Sequence, residues 1–134
     1  MADTDTFQCS VITPERAVLE CDAKFVAFPA HDGEMGMLNH RAALICKLGI
    51  GIMRIEMPNE NAALFVDGGF AQIVDNRLTI LTDKARKPDE LDAATVEKNL
   101  VEAHAMKITD DASFEARSDA IRSAQVQLKL VKPS

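Results

Sequence analysis

The sequence predicts a mainly β plus α protein: an N-terminal antiparallel β-sandwich over residues 1–87, followed by a C-terminal α-helical hairpin over residues 88–134. Three observations predict it. From Phe7 to Thr82 the chain breaks into short apolar runs separated by turn residues, several with the alternation of a half-buried strand. At Pro88 the composition changes: no glycine follows, and alanine, glutamate, lysine and glutamine become common. Beyond that point apolar residues recur three and four apart, which lines one face of a helix.

Phe7-Gln8-Cys9-Ser10-Val11 alternates apolar and polar side chains, and Thr13-Pro14-Glu15-Arg16 interrupts it because proline fixes φ and removes a ladder donor. Ala17 to Cys21 and Lys24 to Phe28 read as the next two strands. His31-Asp32-Gly33-Glu34-Met35-Gly36 then reads as a shaped polar loop, since glycine takes positive φ without steric cost. This is the chain's candidate functional tip. Ala43 to Leu48 is another strand, and Gly51 to Met57 pairs with Ala62 to Asp67 across Pro58-Asn59-Glu60-Asn61. Gly68-Gly69 leads into Phe70 to Val74, and Asp75-Asn76 turns the chain into Arg77 to Thr82. Short strands at this spacing fit an antiparallel sandwich or barrel.

In the helical part Asp92 is a good N-cap, followed by Val96, Leu100 and Ala103 at helical spacing. Thr109-Asp110-Asp111 is both a break and a second cap, after which Phe114, Ile121, Ala124, Leu128 and Val131 keep one face apolar. The two helices should form an antiparallel hairpin. Their stripes are thin, so the pair needs the sandwich or a partner to hold it down.

Composition narrows the function. A net charge of −6, six Phe and no Trp or Tyr leave neither a basic surface nor stacking platforms, so nucleic acid is not an expected partner. No apolar run approaches the ~20 residues that span a bilayer, so no direct membrane insertion is expected. The acidic, polar start Met1-Ala2-Asp3-Thr4-Asp5-Thr6 does not resemble a targeting peptide, and a cytosolic protein is expected. Cys9, Cys21 and Cys46 sit in strand-like contexts and read as buried reduced thiols rather than as a disulfide or redox set.

Signs of catalysis are sparse. His31, His40 and His104 form no metal-ligand spacing with the cysteines, and no phosphate loop is present. His31 beside Asp32 reads as two solvated turn residues rather than an orienting pair, because no nucleophile accompanies them. Glu34 is flanked by glycine and should stay solvated. No catalytic residue and no metal ligand is therefore assigned. Arg117, Arg122, Lys129 and Lys132 lie on and around the polar face of the second helix, as a contact for an acidic partner or as solubility charges. A free-standing β-sandwich that binds a small ligand through the glycine-bracketed loop is the alternative reading.

Several segments, taken in order, resemble the epsilon subunit of F-type ATP synthases along nearly the whole chain. They are Val11-Ile12-Thr13-Pro14-Glu15-Arg16, Gly33-Glu34-Met35-Gly36, Gly51-Ile52-Met53-Arg54-Ile55, Gly68-Gly69-Phe70, Leu78-Thr79-Ile80-Leu81-Thr82-Asp83 and Leu91-Asp92. The resemblance implies a non-catalytic subunit of the central stalk of a proton- or sodium-translocating synthase. It implies a sandwich docked on the gamma subunit and the c ring, at the cytoplasmic face of the energy-coupling membrane. It also implies a hairpin that folds down on the sandwich or extends along gamma toward the catalytic alpha and beta subunits, slowing hydrolysis. Carried onto this chain, the segment from His31 to Gly36 with Glu34 would face the c ring, and Thr13, Arg41 and Cys46 would face gamma. Where the family usually has Pro-Gly-His-Ala-Pro, this chain has Asn39-His40-Arg41-Ala42-Ala43. Leu91 and Asp92 match the start of the family's ATP-binding motif, but Thr95 and Val96 stand where it has arginine and alanine. Without that cation, and with Glu97 and Glu102 nearby, ATP binding by the hairpin and hence any cofactor are not expected.

Overall fold

The computed structural model describes residues 6–131. Met1 to Asp5 and Lys132 lie outside the described residues. The strands are β1 (Phe7–Ile12), β2 (Ala17–Ala23), β3 (Phe25–Ala30), β4 (Gly33–Leu38), β5 (Leu44–Lys47), β6 (Ile50–Glu56), β7 (Asn61–Asp67), β8 (Phe70–Val74), β9 (Arg77–Leu81) and β10 (Lys84–Arg86). A 3₁₀ turn at Pro88–Glu90 leads to α1 (Ala93–His104) and α2 (Asp111–Val131).

The strands form two five-stranded sheets, in the orders β2-β1-β9-β8-β5 and β10-β7-β6-β3-β4. Pairing is antiparallel except between β1 and β9, which run parallel. That pair sits within an otherwise antiparallel sandwich, the fold class expected. Turn chemistry dictates how neighbouring strands pair, whereas β1 and β9 meet only because both must cover one core. The inward side chains are those of the period-2 pattern: Cys9 and Val11 on β1, Leu78 and Ile80 on β9, Met53 and Ile55 on β6 and Leu64 and Val66 on β7 are buried in one cluster.

Two of the short crossings between the sheets are tied to each other. At the first, Gly68 and Gly69 have φ of 72° and 101°, and a Cβ on Gly69 would stand 2.0 Å from the Leu81 carbonyl oxygen. Glycine is required there by both conformation and space. At the second, the buried Thr82 hydroxyl lies 2.7 Å from Gly68 O, 3.2 Å from Asp67 O and 3.1 Å from Lys84 O. One hydroxyl thus ties the two crossings together. The β8–β9 hairpin turns on Asp75 and Asn76, both at positive φ, as a two-residue turn between twisted strands demands.

The expected loop over Gly33 to Gly36 is instead the first part of β4, paired residue for residue with β3 from Ala30↔Gly33 to Phe25↔Leu38. Only Gly33 needs positive φ, at 134°; Gly36 is extended, and Met35 and Met37 on either side of it face the core. The second glycine hid a strand's alternation. The true turn is His31-Asp32.

The hairpin follows the expected caps. Asp92 accepts from Thr95 N at 3.3 Å, and Asp110 accepts from Ser113 N at 2.8 Å. Arg117 donates to the His104 carbonyl at 3.3 Å, closing the end of α1. α2 packs on α1 and on β6 and β7, and Arg122 Nε donates to the Ile50 carbonyl at 3.3 Å. Val96, Ala103 and Ala124 are the fully buried side chains of the two helices among the described residues. Phe114, expected on the apolar face, is 53% exposed and lines a cleft between α2 and the sandwich.

Candidate docking site

No group of three or more His, Cys, Asp and Glu side chains among the described residues is arranged to hold a metal ion. The residues singled out from sequence fall into three places. His31, Asp32, Gly33 and Glu34 are exposed at the tip of the β3–β4 hairpin, held by His31 N donating to the Lys47 carbonyl at 2.8 Å. Met35 and Gly36 lie inward of that tip, Met35 packed against the core.

Arg41 and Cys46 come together at the β5 edge of the first sheet. Arg41 Nη1 reaches Gly36 O at 3.5 Å, and its charge acts on the Cys46 thiol. Partial burial pushes that thiol up from its ordinary value, against the smaller pull of the guanidinium. Thr13 lies apart from them, in the turn after β1. Its backbone N–H donates to the Arg16 carbonyl at 2.9 Å, and its hydroxyl accepts from Arg16 N at 3.3 Å. Arg16 in turn forms an ion pair with Glu90 at 2.6 Å, linking this turn to the 3₁₀ turn that opens the helical part. The Lys87 N–H and Arg16 together hold the Glu90 carboxyl below the usual range.

Between these places the outer face of the first sheet, at β5, β8 and β9, exposes four apolar side chains around Gln72, with Arg77 and Lys47 at the margin. Phe70 and Leu81 are directly opposed across β8 and β9, and Ile45 on β5 stands one diagonal step from Phe70 and from Val74. Their exposures are 54% for Phe70, 45% for Leu81, 68% for Ile45 and 38% for Val74. A shallow depression of about 550 Å³ beside Phe70 and Leu81 is walled by Thr13, Pro14 and Lys47. Sequence reasoning missed this face. The signal was there: Phe70 and Val74 flank the inward Ala71 and Ile73, so β8 is apolar on both sides. Exposed apolar side chains grouped in this way mark a contact surface.

A larger cleft, of about 930 Å³, opens between the β3–β4 tip and the start of α2, with Glu34, Asp67, Asp83, Asp119 and Arg122 on its walls. Partial burial raises the Asp67 carboxyl above its ordinary value, Lys84 opposes the shift, and Asp119 and Asp83 add to it. The cleft walls mix these charged side chains with Pro29, Leu48, Ile50, Ile52 and Phe114. Asp92 is engaged as the cap of α1, with its Oδ2 2.7 Å from the Thr95 hydroxyl, and these bonds lower its pKa. Leu91 is half-buried beside it.

Comparison with known proteins agrees with this geometry. Residues 6–88 match the family model of the ATP synthase delta/epsilon chain β-sandwich domain. The ATP synthase epsilon chain of Rhodopirellula baltica is 39% identical over 124 residues, covering 92% of this chain and 97% of the relative. The chloroplastic ATP synthase epsilon chain of Pyropia yezoensis is 32% identical, covering 92% and 94%. Among solved structures, a chain of the Euglena gracilis mitochondrial ATP synthase OSCP/F1/c-ring assembly has the same fold, with a TM-score of 0.78, 22% identity, and 93% and 80% of the two chains covered. A chain of the Tetrahymena thermophila mitochondrial central stalk and c-ring assembly superposes with a TM-score of 0.68 at 16% identity, covering 93% and 96%. The chain belongs to the family of ATP synthase epsilon chains.

Proposed function

We propose that the chain is a non-catalytic subunit of the rotor stalk of an F-type ATP synthase, docked by its sandwich on the gamma subunit and the c ring. The observation that carries the docking is the apolar face of Ile45, Phe70, Val74 and Leu81, exposed on a rigid sheet in a chain of the epsilon family. Membership of that family disfavours a free-standing ligand-binding sandwich. Thr13 and the Arg41–Cys46 pair border the gamma contact, with Lys47 supplying a positive rim. The tip at His31, Asp32, Gly33 and Glu34 meets the polar loops of the c ring, and Met35 and Gly36 support it from behind. The subunit is peripheral, at the cytoplasmic face of the coupling membrane; no described helix is long and apolar enough to cross a bilayer.

The chain divides functionally between residues 87 and 88. The hairpin is the mobile part, and its release from β6 and β7 and extension toward the alpha and beta subunits slows hydrolysis. It does this without ATP, since Thr95 caps against Asp92 instead of supplying a cation to a triphosphate. Replacing Phe70 by Asp tests the docking face. Phe70 is exposed, so the fold should persist by circular dichroism while gamma binding falls at least about tenfold. Unchanged binding would place gamma on another surface.

A further inference from the structure

Cys9 and Cys21 are used neither by the docking face nor by the hairpin, and the fold sets them side by side. They are direct cross-strand partners in the antiparallel β1–β2 pair. Opposed residues of such a pair share one face of the sheet. Their Cα atoms stand about 4.5–5.5 Å apart, inside the window of about 4.4–6.8 Å that a disulfide requires. Both turn toward the core, Cys9 fully buried and Cys21 packed against the cluster yet still partly open to solvent. The two thiols are close enough for each to shift the titration of the other. Cys46, on the opposite edge strand of the same sheet, has no such partner.

We propose that Cys9 and Cys21 form a reversible cross-strand disulfide when the protein meets a low-molecular-weight disulfide such as glutathione disulfide. The bond would lock the two arms of the Thr13–Arg16 turn.

The chemistry is sequential. Cys21 is the accessible member, and the hydrogen bond from Cys9 holds its thiol below the ordinary value, outweighing its partial burial and the nearby Asp22 and Glu60 carboxylates. Its thiolate attacks one sulfur of glutathione disulfide, forming a mixed disulfide and releasing one glutathione thiolate. The Cys9 sulfur then attacks the Cys21 sulfur. The Cys9–Cys21 bond forms, the mixed bond breaks, and the second glutathione leaves as a thiolate that takes up the Cys9 proton. The two protein thiols lose two electrons and two protons, and one glutathione disulfide becomes two glutathione thiols. Burial and the bond to Cys21 both hold the Cys9 thiol far up, so the second step is the slow one. Cys21 lies on edge strand β2 and is partly open to solvent, the side from which the reagent approaches.

The test uses the full chain in native buffer with glutathione disulfide. Remaining thiols are trapped by N-ethylmaleimide, and intact and peptide masses are read. The expected product is monomeric, has lost two hydrogen atoms, joins the peptides of Cys9 and Cys21, and carries the maleimide on Cys46 alone. Dithiothreitol should restore all three thiols. Cys46→Ser should give the same product. Cys9→Ala, which keeps the buried site apolar, should stop at a glutathione adduct on Cys21. The guanidine-unfolded chain should lose the preference and mix its pairings. A native product held as a lasting Cys21 adduct in the unsubstituted chain, a Cys46-linked dimer, or no oxidation would each overturn the proposal.

Discussion

The sandwich and the helical hairpin hold together by different means. The sandwich buries apolar side chains from both sheets in one cluster and ties two of its sheet crossings with Gly69 and the Thr82 hydroxyl. Among the described residues the hairpin buries two alanines and a valine, and its best-defined polar contacts are end caps plus the bond from Arg122 to Ile50. One region is organised by its interior and the other by its ends. That difference suits a body that keeps its docking face rigid and an appendage that exchanges partners at low cost.

The largest effect that would sharpen the contrast is a core truncation. Phe28→Ala, at a fully buried position, should destabilise the sandwich by about 3–5 kcal/mol, read as a lower urea midpoint for the whole chain. Thr82→Val should cost about 1–3 kcal/mol, because the carbonyls of Gly68 and Asp67 lose their buried donor. On the other side, Val96→Ala should cost on the order of 1–2 kcal/mol and lower helical dichroism while leaving the sandwich transition in place. If it shifts both transitions equally, the two regions are one cooperative unit and the contrast breaks.

Acid should separate them too. The Asp92 and Asp110 carboxyls are held below their ordinary values in the fold, by Thr95 and by Ser113. Their contribution is therefore complete above the unfolded carboxylate range, near pH 4, and disappears as the pH falls through the lower folded values. Helical dichroism should fall first in an acid titration. Asp67 works the other way. Burial raises its carboxyl, so the folded state binds its proton more tightly and the cost appears as the pH rises. Asp67→Asn should raise stability at neutral pH and leave it unchanged in acid. The smallest effect is expected from Arg16→Ala: an ion pair with side chains 49% and 31% exposed should contribute no more than about 0.5 kcal/mol.

Much of this was legible in the sequence, and unevenly so. Alternation marked the strand around Cys9, turn residues bounded those around Met53 and Ile80, and Asp92 and Asp110 announced both helices, because period, turns and capping are local physics. The parallel β1–β9 pair was not, since it joins segments that share a core but no turn. β10 was missed because three residues, Lys84 to Arg86, are too few to show a period. At the candidate site the turn at His31-Asp32 was found but drawn too long, Gly36 being read as a turn when it is an extended residue with no side chain to show alternation. The apolar outer face of Ile45, Phe70 and Leu81 went unseen because it emerges only when three strands lie in register.

In the proposed function the sandwich alone carries folding and docking, and the hairpin is a separable appendage. The most direct test of this division is calorimetric binding to the isolated gamma subunit, comparing the full chain with one ending at Lys87. The shortened chain should fold and bind within about twofold of the full-length affinity. A shortened chain that folds yet binds gamma more than about tenfold more weakly would contradict it, and would make the hairpin part of the dock.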